Sequence, residues 1–557
     1  MMKKINKNIF WALSLLVLIS CETTELDLLN DPNVPSPDSI DVDFTLNSIQ
    51  FNFSEFYEEA TEPGGEAVRL EYMFDTYQIN FNNTNPNMGN MWSNAYAGVL
   101  EDVKILLPIA EENSLFYHEG VARTLKAYVL LTLVDYFGDV PLTEALRGDE
   151  GILFPVVDEG STVYQAAFDE LNLANTAFNN ITSGTPIPND LFYDGNSSSW
   201  TKLVNSLLLK YHLNRRLIDE SGSASAIAAL VNGGEIISDN ADSFLWQAST
   251  STGPLSKHQY YVEEYQAANP GEYIPNYLAW ALTEEKGIDD PRLRYYIYRQ
   301  VDAFPESEAD LNNEIDCWND PRPVTYAPID AISAVPLPFC SLFDRGDGYW
   351  GRDHSENDGI PPDNAKRMTF GSYPVGGRFD DDDAESISDG EGLNGAGLWP
   401  IMMDSFVYFM RAEAALYLGT SDNPRAMYES GIRASISKVM EYIPGGSFDN
   451  IPTDDDVEDY VDAALGLYDA ESDADGRMGV VAKEYWIAMF GNGVEGYNLY
   501  RRTGAPYNLQ PTYLGTGTFP RSFLYPSNTV DRNPNMSQKP DLTIQVFWDN
   551  NPAGFIQ

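Results

Sequence analysis

Apolar side chains recur at helical spacing along much of this chain, and almost nowhere at the alternate-residue spacing of a half-buried strand. Trp92, Ala95, Tyr96, Val99, Val103 and Leu106 share one helix face. Ala122, Leu125, Val129, Thr132, Leu133 and Tyr136 form a second stripe, which Gly138 stops. Thr162 and Gln165 have capping-box spacing and predict a third helix start. Trp200, Leu203, Val204, Leu207 and Tyr211 mark a fourth helix. Later come a stripe from Val407 to Leu418 with Asp404 as its expected cap, a partner from about Asn423 to Met440, and a last strong stripe from Ala482 to Phe490. Such helices, joined by short connections, predict a mainly α fold of stacked hairpins, although no regular repeat of about 34 residues is visible. Between about 246 and 399, and again after 503, Pro, Gly, Asp, Tyr and Trp dominate and periodicity fades. Those stretches predict an irregular, loop-rich lobe with short helices and a few short strands, folded against the helical scaffold of 39–245 and 400–500.

With 84 acidic and 34 basic side chains the net charge is -50, which repels phosphate backbones and excludes nucleic acid as a partner. It would also be repelled by an anionic membrane surface unless held there covalently. The first 20 residues supply the means. Lys3, Lys4 and Lys7 precede an apolar run from Ile9 to Ile19, too short to span a bilayer but fitting a secretory signal. It ends in Leu18, Ile19, Ser20 and Cys21, which resembles a lipobox, so Cys21 is the expected lipidation site. Residues 21–38 are acidic and carry Pro32, Pro35 and Pro37, the composition of a stiff tether. The remainder, 39–557, is expected to be a single domain anchored to a membrane without spanning it.

Catalytic signatures are missing: there is no HExxH, GxSxG or P-loop. Three Cys and four His argue against a metal enzyme built on those ligands. Cys317 and Cys340 either form a disulfide, which an exported chain permits, or remain two buried thiols. Asp380, Asp381, Asp382 and Asp383 must be solvated or neutralised by a cation such as calcium; solvation is the simpler expectation. Glu471, Asp473 and Asp475 imitate half of an EF-hand, but Ala482 stands where a bidentate Glu is needed, so they read as the acidic start of a helix.

One segment has the composition of a ligand surface. Six Asn lie between Asn80 and Asn90, with Tyr72, Phe74, Tyr77 and Phe81 before or among them. Uncharged amides suit hydroxyl or peptide groups, and aromatic faces suit sugar rings or apolar side chains. The competing reading is an Asn-rich turn covering the core. Tyr77, Phe81, Asn82 and Asn85 are the candidates here, joined by Trp318 and Trp350 on the loop-rich half, whereas Trp92, Trp200 and Trp486 read as core.

Several segments resemble the SusD/RagB family of Bacteroidetes outer-membrane lipoproteins. They are LLNDPN at 28–33, MWSNAYAG at 91–98, and KAY at 126–128 followed by DYFGDVPL at 135–142. WTKLVNS at 200–206, RAEA at 411–414, EYW at 484–486, EGY at 495–497 and RRTGAP at 501–506 complete the series. They fall in order, and the first and last resemble the SusD-like nutrient-binding branch. The resemblance implies about four tetratricopeptide-like hairpins in one scaffold. It also implies a protein on the outer face of the outer membrane, closing as a lid over a SusC-like TonB-dependent transporter. Such proteins capture oligosaccharides, or in some branches peptides, and are not enzymes. Their ligand residues lie in variable loops, so no site residue carries over by motif. A secreted lipoprotein hydrolase and a structural helical adaptor of the envelope are the alternatives; the missing catalytic motif favours binding.

Overall fold

The computed structural model describes residues 40–253, 255–267, 271–303, 317, 320–340, 346–357, 366–442, 448–515 and 517–556. Cys21 and Trp318 lie outside them. The chain divides into Met1–Val42 and a second compact unit, Asp43–Gln557.

The second unit is mostly helical. After α1 (Val42–Ala67) come α2 (Pro86–Ser93), a π-helical segment at Asn94–Leu100, α3 (Glu101–Glu112), α4 (Phe116–Phe137), α5 (Gly160–Asn179), α6 (Ser197–Arg215) and α7 (Glu220–Gly233). Each of α3 to α6 packs on its successor, as hairpins require. A second set follows: α8 (Asp404–Leu418), α9 (Pro424–Met440), α10 (Asp454–Ala470), α11 (Ala474–Ala488) and α12 (Gly493–Thr503). Here α8 packs on α9 and α11, and also against α6 and α7, which joins the two sets.

Helix starts follow local chemistry. Asn423 caps α9 through Ala426 N–H, and Asp473 caps α11 through Gly476 N–H, so the acidic 471–475 run is a helix start. The expected box at Thr162 is unused. Helix α5 opens three residues earlier, with Glu159 at the N-cap position, and Asp139 accepts from Gly160 N–H (2.7 Å), capping it from the preceding loop. The close crossing of α1 and α12 requires glycine: a Cβ on Gly493 would fall 1.9 Å from Thr61 O, and one on Gly64 would fall 2.3 Å from Gly493 O.

The irregular lobe holds two small antiparallel ladders. In the first, β1 (Phe244–Gln247) pairs with β4 (Leu398–Met402), Trp246 opposite Trp399. In the second, β2 (Ile297–Tyr298) pairs with β3 (Thr369–Phe370). The C-terminal stretch returns over α4: Phe523 N–H donates to Tyr136 O (2.8 Å), and Trp548 Nε1 donates to Asp135 (2.8 Å). No helix among the described residues is long and apolar enough to cross a membrane.

Many of the sequence signatures fall on a buried polar network rather than on a ligand surface. Glu413 accepts from Arg502 Nε (2.8 Å) and Nη2 (2.7 Å), and from Arg216 Nε (3.0 Å). Arg292 bridges Asp290 and Glu484, each at 2.7 Å. The Arg501 guanidinium lies 3.8 Å from the centroid of the Tyr497 ring. Trp200 Nε1 donates to Asp190 (2.8 Å). Buried charges are tolerated only when paired like this, which fixes residue types at matched positions of different helices.

Candidate functional site

The Asn-rich segment takes its form from α1. That helix carries Glu58, Glu59, Glu62 and Glu66 at helical spacing, and Glu71 follows it. Burial pushes Glu58 and Glu62 up to about 8 and Glu59 to about 7, and raises Glu66 and Glu71 well above the ordinary range. Neutral amides satisfy this ladder: Asn80 Nδ2 donates to Glu66 (2.7 Å), Asn90 Nδ2 donates to Glu59 (3.1 Å), and Asn87 bonds Glu62. Much of the Asn excess is therefore structural.

The expected stacking face does not form. Tyr77 and Phe81 are 1% and 0% exposed. They stack on each other (6.1 Å between centroids), and Phe81 packs on Phe523 (4.9 Å), pinning the segment to the core. Trp350 is 0% exposed, packed on the disulfide under the Arg367 guanidinium (5.0 Å). Of the segment's four aromatics, Phe74 is the exposed one, at 52%. Asn82 spends its amide on its own turn, donating to Ile79 O and accepting from Thr84. Asn85 caps α2 through Asn87 N–H (2.8 Å) and donates to Asn80 O. Tyr77, Phe81, Asn82 and Asn85 shape the turn; of them, Asn85 also lines a cleft.

Cys317 and Cys340 are disulfide-bonded, with Cα atoms 5.5 Å apart. Cys317, Asp353 and Glu356 converge, but that sulfur is bonded, and Asp353 already accepts from Gln510 (2.8 Å), Asn276 (3.2 Å) and Cys340 N–H (2.6 Å). The run from Asp380 to Asp383 is solvated only in part: Asp382 and Asp383 are exposed, whereas Asp380 is not. Asp380 is buried and forked by Arg299 (2.6 and 2.9 Å). Asp382 meets Arg294 and Arg299, Asp383 meets Arg378, and Asp381 accepts from Asp449 and Asn450 N–H. Arginines thus neutralise Asp380, Asp382 and Asp383.

The cleft lies on the outer side of the Asn-rich segment. Its volume is about 670 Å³, and its walls are α2, the π-helical segment and residues 526–532. The Ser527 N–H bond to Asn83 O (2.7 Å) joins the walls. Trp92, 9% exposed, lines it beside Tyr96 (5.0 Å between centroids, 36° between planes), whose OH is anchored on Pro141 O (2.7 Å). Tyr96 sits on the π-helical turn, a local irregularity frequent at functional sites. Asn83, Asn528 and Arg532 also line the cleft, and among the described residues none of these side chains has a protein partner. Sequence reasoning assigned Trp92 to the core and missed Asn528 and Arg532 altogether. The one available signal was the W-x-x-x-Y pair directly after the Asn run.

Two other clefts are lined by carboxyl groups. One of about 400 Å³ is lined by Asp289, Asp290, Asp449, Asp456 and Asp459 beside Arg294, and one of about 270 Å³ by Glu55, Glu58 and Glu263 beside Trp246 and Lys257. The Asn83–Arg532 cleft has no carboxylate in its lining. Amide donors and acceptors around aromatic side chains, with Arg532 as the one charged group of the lining, are the chemistry of hydroxyl recognition.

Comparisons with known proteins agree with this fold. A family model described as "Starch-binding associating with outer membrane" matches residues 35–331, and one described as "Susd and RagB outer membrane lipoprotein" matches 394–540. A SusD/RagB family protein from Bacteroides thetaiotaomicron superposes with a TM-score of 0.65 at 16% identity, covering 92% of this chain and 100% of its own. A chitin-binding SusD homologue from Flavobacterium johnsoniae gives 0.60 at 16% identity, covering 92% and 99%. A SusD homologue from Bacteroides fragilis gives 0.64 at 17% identity, covering 92% and 99%. No match is found among curated proteins. With family models matched across both helical sets, the chain belongs to the SusD/RagB family of outer-membrane lipoproteins.

Proposed function

We propose that the protein captures oligosaccharides at the cell surface and delivers them to a SusC-like TonB-dependent transporter, without catalysing their cleavage. Cys21 carries the lipid anchor, and the body faces outward on the outer membrane. The observation that carries this reading is the cleft, where the free amides of Asn83 and Asn528 flank Trp92 and Tyr96. Such a lining offers hydrogen bonds in both directions and an apolar edge, which fits a sugar ring better than an extended peptide. Family membership and the chitin-binding description of one structural relative support the glycan over the peptide. The high-pKa carboxyls do not argue for a hydrolase: Glu58, Glu59 and Glu66 accept hydrogen bonds from Trp399, Asn90 and Asn80. Purification from native outer membrane in mild detergent tests the reading. A large β-barrel that co-purifies, with oligosaccharide retained and uncleaved, is expected. Recovery without any barrel, or with hydrolytic activity that tracks the protein, overturns it.

A further inference from the structure

We infer that the cleft selects an oligosaccharide bearing an anionic group, a carboxylate or a sulfate, and that Arg532 reads that group. The inference rests on the glycan reading above and narrows it to a charged class. In a chain with 84 acidic against 34 basic side chains, cations are scarce and mostly claimed. Arg123 meets Glu111, Glu119 and Glu170; Arg378 meets Asp383 and Glu391; even the exposed Arg425 meets Asp469. Arg532 differs: it is exposed, and among the described residues no carboxylate or carbonyl pairs with it.

Its surroundings are equally unusual. The other two clefts carry several carboxylates each, whereas this lining has Arg532 as its charged side chain and otherwise amides, hydroxyls and apolar groups. Asp531, the residue before Arg532, is exposed but does not line the cleft, and Glu59 is hydrogen-bonded to Asn90. A guanidinium with no internal partner shares this lining with the free amides of Asn83 and Asn528, and its planar donor fork is available to a ligand. That fork matches the geometry of a carboxylate or a sulfate. The body's overall negative charge would repel such a ligand elsewhere, so the cleft is a local exception in the field.

Calorimetry with the full-length protein in detergent, using three probes, tests this. The probes are tetragalacturonate for a carboxylate, a sulfated tetrasaccharide for a sulfate, and chitotetraose as a neutral control. At least one charged probe should bind more tightly than chitotetraose, and which one does identifies the group. Arg532→Gln should weaken that probe about tenfold or more, the loss of one charge-assisted hydrogen bond, while neutral affinity stays within about twofold. Arg532→Lys should recover only part of the loss, because a point charge cannot fork. Chitotetraose binding as tightly as both charged probes, or Arg532→Gln leaving charged affinity unchanged, overturns the inference and leaves the glycan cleft standing. Asn83→Ala and Asn528→Ala without effect on any probe would instead sink the cleft itself, and the inference with it.

Discussion

Removing Glu413 isolates the network that joins the two helical sets. Its carboxylate is 0% exposed and takes a two-pronged contact from Arg502, itself 2% exposed, plus one from Arg216. Glu413→Ala leaves Arg502 with Asn214 Oδ1 (2.6 Å) as its remaining side-chain acceptor, and leaves two guanidinium groups facing each other. Breaking a buried pair by removing one partner costs about 3–5 kcal/mol, a large part of the roughly 5–15 kcal/mol that holds a typical protein folded. Glu413→Gln keeps one acceptor and the volume, and should cost less. Urea unfolding followed by circular dichroism should show a lower midpoint at unchanged slope. The effect also has a pH signature. Burial opposes ionisation of Glu413, but Arg502 and Arg216 outweigh it and hold the carboxyl below the ordinary range. Stability from this contact is therefore full above the unfolded-state pKa and is lost as pH falls through the lower folded-state value. The gap between wild type and Glu413→Ala should narrow on acidification. An unfolding free energy within about 0.5 kcal/mol of wild type at pH 7 would mean that the network does not hold the two sets together.

The glutamate ladder of α1 predicts the opposite trend. With Glu58, Glu59 and Glu62 raised by burial to about 8, 7 and 8, stability is full below the ordinary carboxyl pKa and is lost as pH rises through 7–8. Melts from pH 6 to 9 should show a falling Tm that Glu62→Gln makes shallower; a flat profile contradicts it. The Cys317–Cys340 bond spans 23 residues and should contribute roughly 3 kcal/mol by the chain-entropy model. Non-reducing peptide mapping should recover the linked peptides, and two free thiols in protein from an oxidising compartment would refute the bond. Cys21→Ala should leave the body folded but release it from washed membranes, and its retention would exclude the lipid anchor.

The scaffold was legible because helical periodicity and cap residues are local signals. Asn423 and Asp473 could be placed as helix starts from the sequence because an N-cap acts within three residues. The start of α5 could not, because its cap, Asp139, comes from 21 positions upstream. The site was less legible for the same reason. In the Asn-rich segment composition showed amides and rings but not which way they face. The glutamates of α1 hold Asn80, Asn87 and Asn90, and the rings of Tyr77 and Phe81 turn into the core. Periodicity correctly gave Trp92 an inward face. What it could not show is that residues 526–532, more than 400 positions later, cover that face only partly and bring Arg532 to it.

The central claim, that the cleft beside Trp92 holds the sugar, is tested most directly by a crystal structure of the protein soaked with tetragalacturonate or chitotetraose, whichever binds more tightly. Density for a sugar ring should lie against the Trp92 and Tyr96 edge, within hydrogen-bond reach of Asn83 and Asn528. A fully occupied saccharide in the acidic cleft between Asp290 and Asp456, with the Asn83–Arg532 cleft left to water, would place the binding site elsewhere.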